Sequence, residues 1–182
     1  KYYMQVVNRM PPVLIKGKGT IVTDTDGNDY LDFTAGWAVL NLGHSHESVT
    51  KAVSEQAGKI MQMSNLFYTI PQLSLAKTIV DNSDVDKVFF CNSGAEAVEG
   101  AIKLAYKFHD GDRKIILHSD ISYHGKLLGS ASITASKEVH FKYPSIPNTH
   151  SFKFNDISSV KEKISSFRKE SGESDIYAFG IP

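Results

Sequence analysis

Three small residues between an apolar run and a helix-forming run have the chemistry of an anion site. In "FFCNSGAEA" the apolar run Val88–Phe90 predicts a short buried strand, and a helix is predicted directly afterwards. Ser93 offers a hydroxyl, Gly94 allows close approach to the backbone, and Ala95 adds an unobstructed amide. Free amides and the helix dipole at such an end bind phosphate. An ordinary N-cap made by Asn92 or Ser93 explains the same residues, and both interpretations stay open at this point.

A second group of candidate residues follows the strand predicted over 114–118. In "SDISYHGKLLG", Tyr123 offers a flat ring, His124 a titratable imidazole, and Gly125 a close backbone approach. Because the carboxyl ends of parallel strands meet at one edge of a sheet, we expect this loop at the same edge as Ser93. An aromatic ring there suits stacking on a planar cofactor. A loop aromatic that covers the core is the alternative.

Three other patterns favour structure over chemistry. Cys91 with His124 suggests a nucleophile and its base, but Cys91 continues the apolar run and is expected to be buried. "GHSHESV" places His44 and His46 two residues apart, yet no Cys/His cluster elsewhere completes a metal site, so we expect a loop entering a helix and no metal. "DTDG" lacks the later ligands of a calcium loop and is expected to be a turn.

Short apolar strands and amphipathic helices alternate along most of the chain. Helices are predicted over 47–62, from Pro71, over 95–108 and after Asp156, and strands over 88–90, 114–118, "HSFKFN" and "IYAFGI". This alternation predicts an α/β fold with a mostly parallel sheet and helices on both faces.

The first part of the chain follows another pattern. A β-hairpin is predicted over 19–33, with its turn at Asp26-Gly27-Asn28. We therefore interpret residues 1–45 as an N-terminal arm and part of a smaller α+β domain, and residues 46–182 as the first part of a large α/β domain.

The composition indicates neither nucleic acid nor membrane as a partner. Twenty basic and 20 acidic residues give a formal net charge of zero, and no apolar run has the length of a membrane span. A single cysteine excludes an internal disulfide and favours a reducing compartment. We expect the cytoplasm, with the mitochondrial matrix as the alternative. The chain lacks an initial Met and ends on the apolar "YAFGIP", so it is expected to be part of a longer protein.

Taken together, these stretches resemble the class III aminotransferases, which depend on pyridoxal phosphate. "NRMPPVLIKGKGTIVTDTDGNDYLDFTAGWAVLNLGHSHESV" is similar to the N-terminal segment of that family. "SNLFYTIPQLSLAKTIV" and "DKVFFCNSGAEAVEGAIKLAYKF" look most like its acetylornithine and ornithine branch, and "SYHGKLLGSASIT" matches the next family block. The matches run in collinear order over nearly the whole chain, which makes them more specific than any single motif.

The resemblance implies a fold, a cofactor and roles for individual residues. It implies fold type I and a homodimer with active sites at the subunit interface. Ser93, Gly94 and Ala95 would hold the phosphate of pyridoxal 5'-phosphate, and Tyr123, followed by His124, would stack on its pyridine ring. The reaction would transfer an amino group, often a terminal one, to 2-oxoglutarate.

Three features depart from the family pattern. The Schiff-base lysine and the acidic partner of the pyridine nitrogen are expected beyond Pro182, so no catalytic residue is assigned within this chain. Lys126 stands where acetylornithine-type members carry an arginine for the substrate carboxylate, and it lacks the planar two-pronged fit; a solvated surface lysine is the alternative. Trp37 occupies a pocket position that is usually a small aliphatic residue in acetylornithine enzymes, and "GW" is more typical of ω-aminotransferases and glutamate-1-semialdehyde aminomutase.

The leading hypothesis is therefore an aminotransferase acting on acetylornithine, ornithine or a related ω-amino compound. Trp37 motivates an alternative enzyme, similar to glutamate-1-semialdehyde aminomutase or 4-aminobutyrate aminotransferase. The apparent truncation motivates another class, a catalytically silent α/β module that binds a phosphorylated ligand.

Overall fold

Two compact units make up the chain, Lys1–Leu75 and Ala76–Pro182, and each is considered by itself. The computed structural model describes residues 2–108, 110–136, 141, 144–171 and 176–178. Along the chain, the first unit ends at Leu75 and not at the boundary predicted between residues 45 and 46. That boundary concerns the domains of the whole protein and stays a prediction.

An antiparallel three-stranded sheet organises the first unit. Its strands lie in the order β1 (Leu14–Lys18), β2 (Ile21–Asp24) and β3 (Asp29–Leu31). The pairing of β2 with β3 confirms the predicted hairpin, whereas β1 is a further strand that the apolar pattern does not predict. Asp24 shapes the hairpin turn, because its carboxylate accepts hydrogen bonds from the amides of Asp26 and Asn28 and from the hydroxyl of Tyr30.

Three helical segments follow this sheet along the chain: α1 (Ala35–Ala38), α2 (Glu47–Ala57) and α3 (Ile70–Asp81). The first is a single turn with left-handed backbone angles. The second confirms the helix predicted over 47–62 but ends earlier, with Gly58 as its C-cap. Glycine favours a helix end because it loses more conformational entropy in a helix than other residues do. The third begins one residue before Pro71, and a proline in the first turn needs no amide donor there.

A parallel sheet organises the second unit and confirms the predicted α/β fold. Its strands are β4 (Ile115–Ser119), β5 (Thr149–Phe152) and β6 (Ile176–Ala178), in the spatial order β5-β4-β6. Both pairings are parallel, with Ile116 opposite Thr149 and Ile115 opposite Ile176. Parallel neighbours need crossover connections, and the intervening helices supply them.

Among the described residues after α3, the helices are α4 (Gly94–Phe108), α5 (Leu128–Ser132) and α6 (Ile157–Ser171). Val98 and Ile102 of α4 pack against Ile116 of the sheet and Ile133 after α5 to form the core. Asp156 caps α6 as predicted. Its carboxylate accepts hydrogen bonds from the backbone amides of the second and third residues of the helix, at 2.9 and 3.1 Å.

Two expectations about the segment before α4 are wrong. Residues 88–90 form no strand with any residue that the structure describes, and Phe89 is 73% exposed. Cys91 is exposed as well, and its Sγ lies 3.3 Å from the carbonyl oxygen of Ser93. Both errors have one cause: an apolar run identifies a segment that favours burial, but a strand also needs a neighbour with which to pair.

Within the described part of the chain, no helix has both the length and the apolar character needed to cross a membrane.

Candidate functional site

Ser93 caps the N-terminus of α4. Its Oγ accepts a hydrogen bond from the backbone amide of Glu96 at 3.2 Å, and the carboxylate of Glu96 accepts one from the amide of Asn92 at 2.6 Å. This is close to a capping box, in which side chains satisfy the first amides of the helix. A hydroxyl that accepts through its oxygen still has its proton to donate. The capping role therefore leaves Ser93 able to bind an anion.

The amides that follow Ser93 point out of the helix end without an intrahelical acceptor. Gly94 and Ala95 are the first two residues of α4, and amides in the first turn of a helix have no carbonyl four residues earlier. A methyl group placed on Gly94 would meet no atom within 4 Å. The helix is 15 residues long, so its dipole adds to the partial positive charge there. This end of α4 fits a phosphate group.

The loop after β4 lies against this helix end. Gly125 has a φ of +122°, and a Cβ added to it would stand only 2.5 Å from the Cβ of Ala95. The two backbones approach so closely because Gly125 has no side chain. The structure thus brings the loop of Tyr123 and His124 beside the start of α4. Tyr123 is 63% exposed, so its ring remains available to a ligand.

His124 is buried in this loop, next to the buried Gly125. Only 8% of it is exposed, and its backbone amide donates to the Thr134 hydroxyl at 2.9 Å. Burial lowers the pKa of the His124 imidazole, because a low-dielectric surrounding disfavours the charged form. A neutral imidazole has one donor and one acceptor nitrogen. The lowered pKa therefore favours a ring that can donate and accept hydrogen bonds without bringing a full positive charge into the site.

Residues that the sequence does not single out hold the loop in place. Glu99 accepts a hydrogen bond from the backbone amide of Ser130 at 2.7 Å. A Cβ on Gly129 would come within 2.8 Å of the Glu99 carboxylate. In the sequence, Gly129 was the available sign that another group approaches closely, but it does not reveal that this group is Glu99, which lies 30 residues earlier. Glu99 thereby ties α5 to α4.

The two predicted substrate residues lie in different units. Lys126 follows Gly125 directly and is exposed. Trp37 lies in the first unit and is 96% exposed. The roles of these residues, and those of Ser93 to Ala95, stay predictions.

Comparisons with known proteins agree on one family. The family model described as aminotransferase class-III matches residues 2–177. An acetylornithine aminotransferase of Methanocaldococcus jannaschii is 43% identical over 171 residues, which cover 90% of this chain and 42% of that protein. One of Nostoc sp. is 45% identical over 169 residues, covering 89% of this chain and 39% of that protein. The chain thus spans less than half the length of these relatives.

Solved structures agree with the fold. The ornithine aminotransferase of Toxoplasma gondii superposes with a TM-score of 0.82 at 28% identity, over 91% of this chain and 40% of that one. A taurine:2-oxoglutarate aminotransferase of Bifidobacterium kashiwanohense, solved with PLP and glutamate, gives a TM-score of 0.87 at 24% identity, over 98% of this chain and 45% of that one. The expected type I fold is thereby confirmed.

Proposed function

The chain belongs to the class-III aminotransferases, and from this premise we propose that the whole protein is a pyridoxal-phosphate-dependent aminotransferase whose amino donor is N-acetylornithine or a close relative. The acceptor is 2-oxoglutarate. The observation that carries this proposal is the similarity of two acetylornithine aminotransferases from distant organisms, each above 40% identity over about nine tenths of this chain.

Pyridoxal 5'-phosphate fits the residues at the start of α4. The Ser93 hydroxyl and the amides of Gly94 and Ala95 would hold its phosphate, which complements the partial positive charge of the helix end. The exposed ring of Tyr123 would lie along its planar ring, with His124 behind it. When bound, the cofactor supplies an electron sink for chemistry at the amino-bearing carbon. The role of this chain is to bind and orient that group.

Lys126 and Trp37 are the proposed substrate contacts. The exposed Lys126 can pair with a donor carboxylate. Its ammonium group offers a single compact charge, whereas an arginine guanidinium can form two parallel hydrogen bonds with a carboxylate. Trp37 presents a large flat surface that suits one wall of a substrate pocket. A lysine in place of arginine favours donors whose carboxylate tolerates a looser contact.

We propose a homodimer in the cytoplasm, with the mitochondrial matrix as the alternative compartment. The family resemblance supports the dimer. So do three consecutive large side chains, Leu66, Phe67 and Tyr68, each at least 60% exposed in this chain. Light scattering of the complete protein at micromolar concentration tests the dimer, and a single-subunit mass would contradict it.

A panel of amino donors tests the function. The complete protein, supplied with pyridoxal phosphate and 2-oxoglutarate, is expected to form glutamate fastest from N-acetylornithine or ornithine. Turnover of glutamate-1-semialdehyde or 4-aminobutyrate with no ornithine derivative accepted would favour the other enzymes considered above. If the added cofactor gives no bound visible absorption band, the protein is not a pyridoxal-phosphate enzyme.

A further inference from the structure

The loop that carries Trp37 has an unusual backbone. Ala35, Gly36, Trp37 and Ala38 have φ values of 46°, 60°, 62° and 61°, so four consecutive residues form one left-handed turn. Left-handed backbone brings Cβ against the next carbonyl oxygen, and only glycine adopts it freely. Three of these four residues are not glycine. Such a turn persists only where neighbouring groups hold it.

Asp32 holds the beginning of the turn. Its Oδ1 accepts hydrogen bonds from the Thr34 amide at 2.8 Å, the Thr34 hydroxyl at 2.7 Å and the Ala35 amide at 3.0 Å. Three donors on one carboxylate oxygen fix the direction in which the chain enters the turn. The Asp32 side chain is only 12% exposed, so little water competes for these bonds.

The other carboxylate oxygen of Asp32 holds the far end of the loop. Its Oδ2 lies 2.7 Å from Nε2 of His44. An ionised carboxylate only accepts hydrogen bonds, so Nε2 is the protonated, donating nitrogen. Asp32 and His44 therefore close the loop of residues 33–43, with Trp37 near its middle.

His44 is itself fixed to the sheet. Its backbone exchanges two hydrogen bonds with Gly19, at 2.9 and 2.8 Å. Its ring lies directly over Gly17, where an added Cβ would stand 2.8 Å from the ring Cγ. The pair thus joins the loop to strand β1 and the turn after it. The side chains of Asp32 and His44 therefore connect the turn that carries Trp37 to the sheet.

We propose that Asp32 and His44 are positioning residues that set donor specificity by holding the left-handed turn that presents Trp37. This rests on the proposed function, in which Trp37 forms a wall of the substrate pocket. The pair does not touch the reacting atoms. It fixes where the indole stands, and displacements of about an ångström in such groups change rates about a hundredfold.

Kinetics of the complete protein with N-acetylornithine and 4-aminobutyrate test the proposal. Asp32→Ala is expected to move the ratio of the two kcat/KM values by about tenfold or more, in the direction given by Trp37→Ala. Because both changes act through one group, the double variant should move the ratio no further than Trp37→Ala alone. Additive changes, or an unchanged ratio in Asp32→Ala, would overturn the proposal.

Asp29→Ala is the matched control. Asp29 accepts a hydrogen bond from the Thr23 hydroxyl at 2.6 Å in the same sheet, and none of the hydrogen bonds described for residues 33–43 involves its side chain. Its loss is expected to lower stability without changing donor preference. If Asp32→Ala does not fold, Asp32→Asn keeps an oxygen for Thr34 and Ala35 and loses the charge facing His44. It is expected to move the ratio less, in the same direction; no movement contradicts the proposal.

Fluorescence separates this inference from the proposed function. The emission of Trp37 is obtained by subtracting that of Trp37→Phe, and its anisotropy is expected to fall in Asp32→Ala and His44→Gln but not in Asp29→Ala. A wild-type protein that transaminates neither donor would refute the function while this readout still tests the positioning. Unchanged anisotropy in both variants would refute the positioning itself.

Discussion

Replacement of Ser93 by alanine tests the phosphate site most directly. The change removes one hydroxyl that caps α4 and, in our proposal, donates its proton to the cofactor phosphate. The fold is expected to survive, because Glu96 keeps its 2.6 Å hydrogen bond with the Asn92 amide. The backbone amides of Gly94 and Ala95 also remain available to the anion. The variant therefore separates binding from folding.

The size of the effect follows from the single bond that is lost. A hydrogen bond to a charged group contributes about 1.5–3 kcal/mol, which corresponds to about ten- to 150-fold weaker binding of pyridoxal phosphate. Loss of the cap costs the helix about 1 kcal/mol independently of the ligand. Thermal unfolding of the cofactor-free protein measures that second effect by itself.

The assay is an equilibrium titration of the complete, cofactor-free protein with pyridoxal phosphate, followed by absorbance. Ser93→Thr keeps the hydroxyl and should bind nearly as wild type does. Ser159→Ala is the control for losing a serine that bonds only the backbone, since its Oγ accepts from the Lys153 amide at 2.9 Å. Equal cofactor affinity in Ser93→Ala and wild type would show that the loop is only a helix cap.

Two further predictions concern packing and pH. Gly125→Ala places a methyl group 2.5 Å from the Ala95 Cβ and should lower the free energy of unfolding by about 1–3 kcal/mol through overpacking, in addition to backbone strain. Gly111→Ala, at a φ of +79° in open space, introduces the backbone strain alone. Urea unfolding compares the two variants, and equal losses of stability would contradict the contact at Gly125. Hydrogen bonds lower the pKa of two carboxyl groups, Asp32 mainly through the Thr34 hydroxyl and then His44, and Asp24 mainly through the Tyr30 hydroxyl. Because their folded pKa values lie below the unfolded value near 3.8, this stability is present above that pH and is lost as the pH falls through the lowered values. Urea unfolding between about pH 2 and pH 5 should show that loss, with a shallower slope in Asp32→Ala; parallel slopes would show that Asp32 does not contribute.

Local patterns predict the elements that carry the site. An apolar run bounded by polar residues predicts β4, and the small residues of "NSGAEA" predict where α4 begins. The position of Tyr123 beside that helix end follows from the rule that loops of a parallel sheet gather at one edge. None of these predictions needs a partner distant in sequence.

Long-range pairs could not be predicted in the same way. Val88–Phe90 has the composition of a strand, but its pairing depends on which neighbour is present. Glu99 has the spacing of a surface ion pair with Lys103, and the approach of Gly129 across the fold decides its partner instead. His44 with His46 suggests a metal ligand by type alone, whereas the structure pairs His44 with Asp32.

The two glycines at the start of α4 and in the loop beside it, Gly94 and Gly125, differ in what surrounds them. At Gly125 the reason lies within the protein, because Ala95 occupies the space that a side chain would need. At Gly94 the described residues outside its own helix turn place no atom within 4 Å of an added methyl group, and the backbone there is not left-handed. Glycine in a helix is destabilising by roughly 0.5–1 kcal/mol relative to alanine. Neither packing against the described residues nor backbone geometry requires glycine at this position, and the proposed approach of a phosphate to the helix end would use the space that a side chain leaves free.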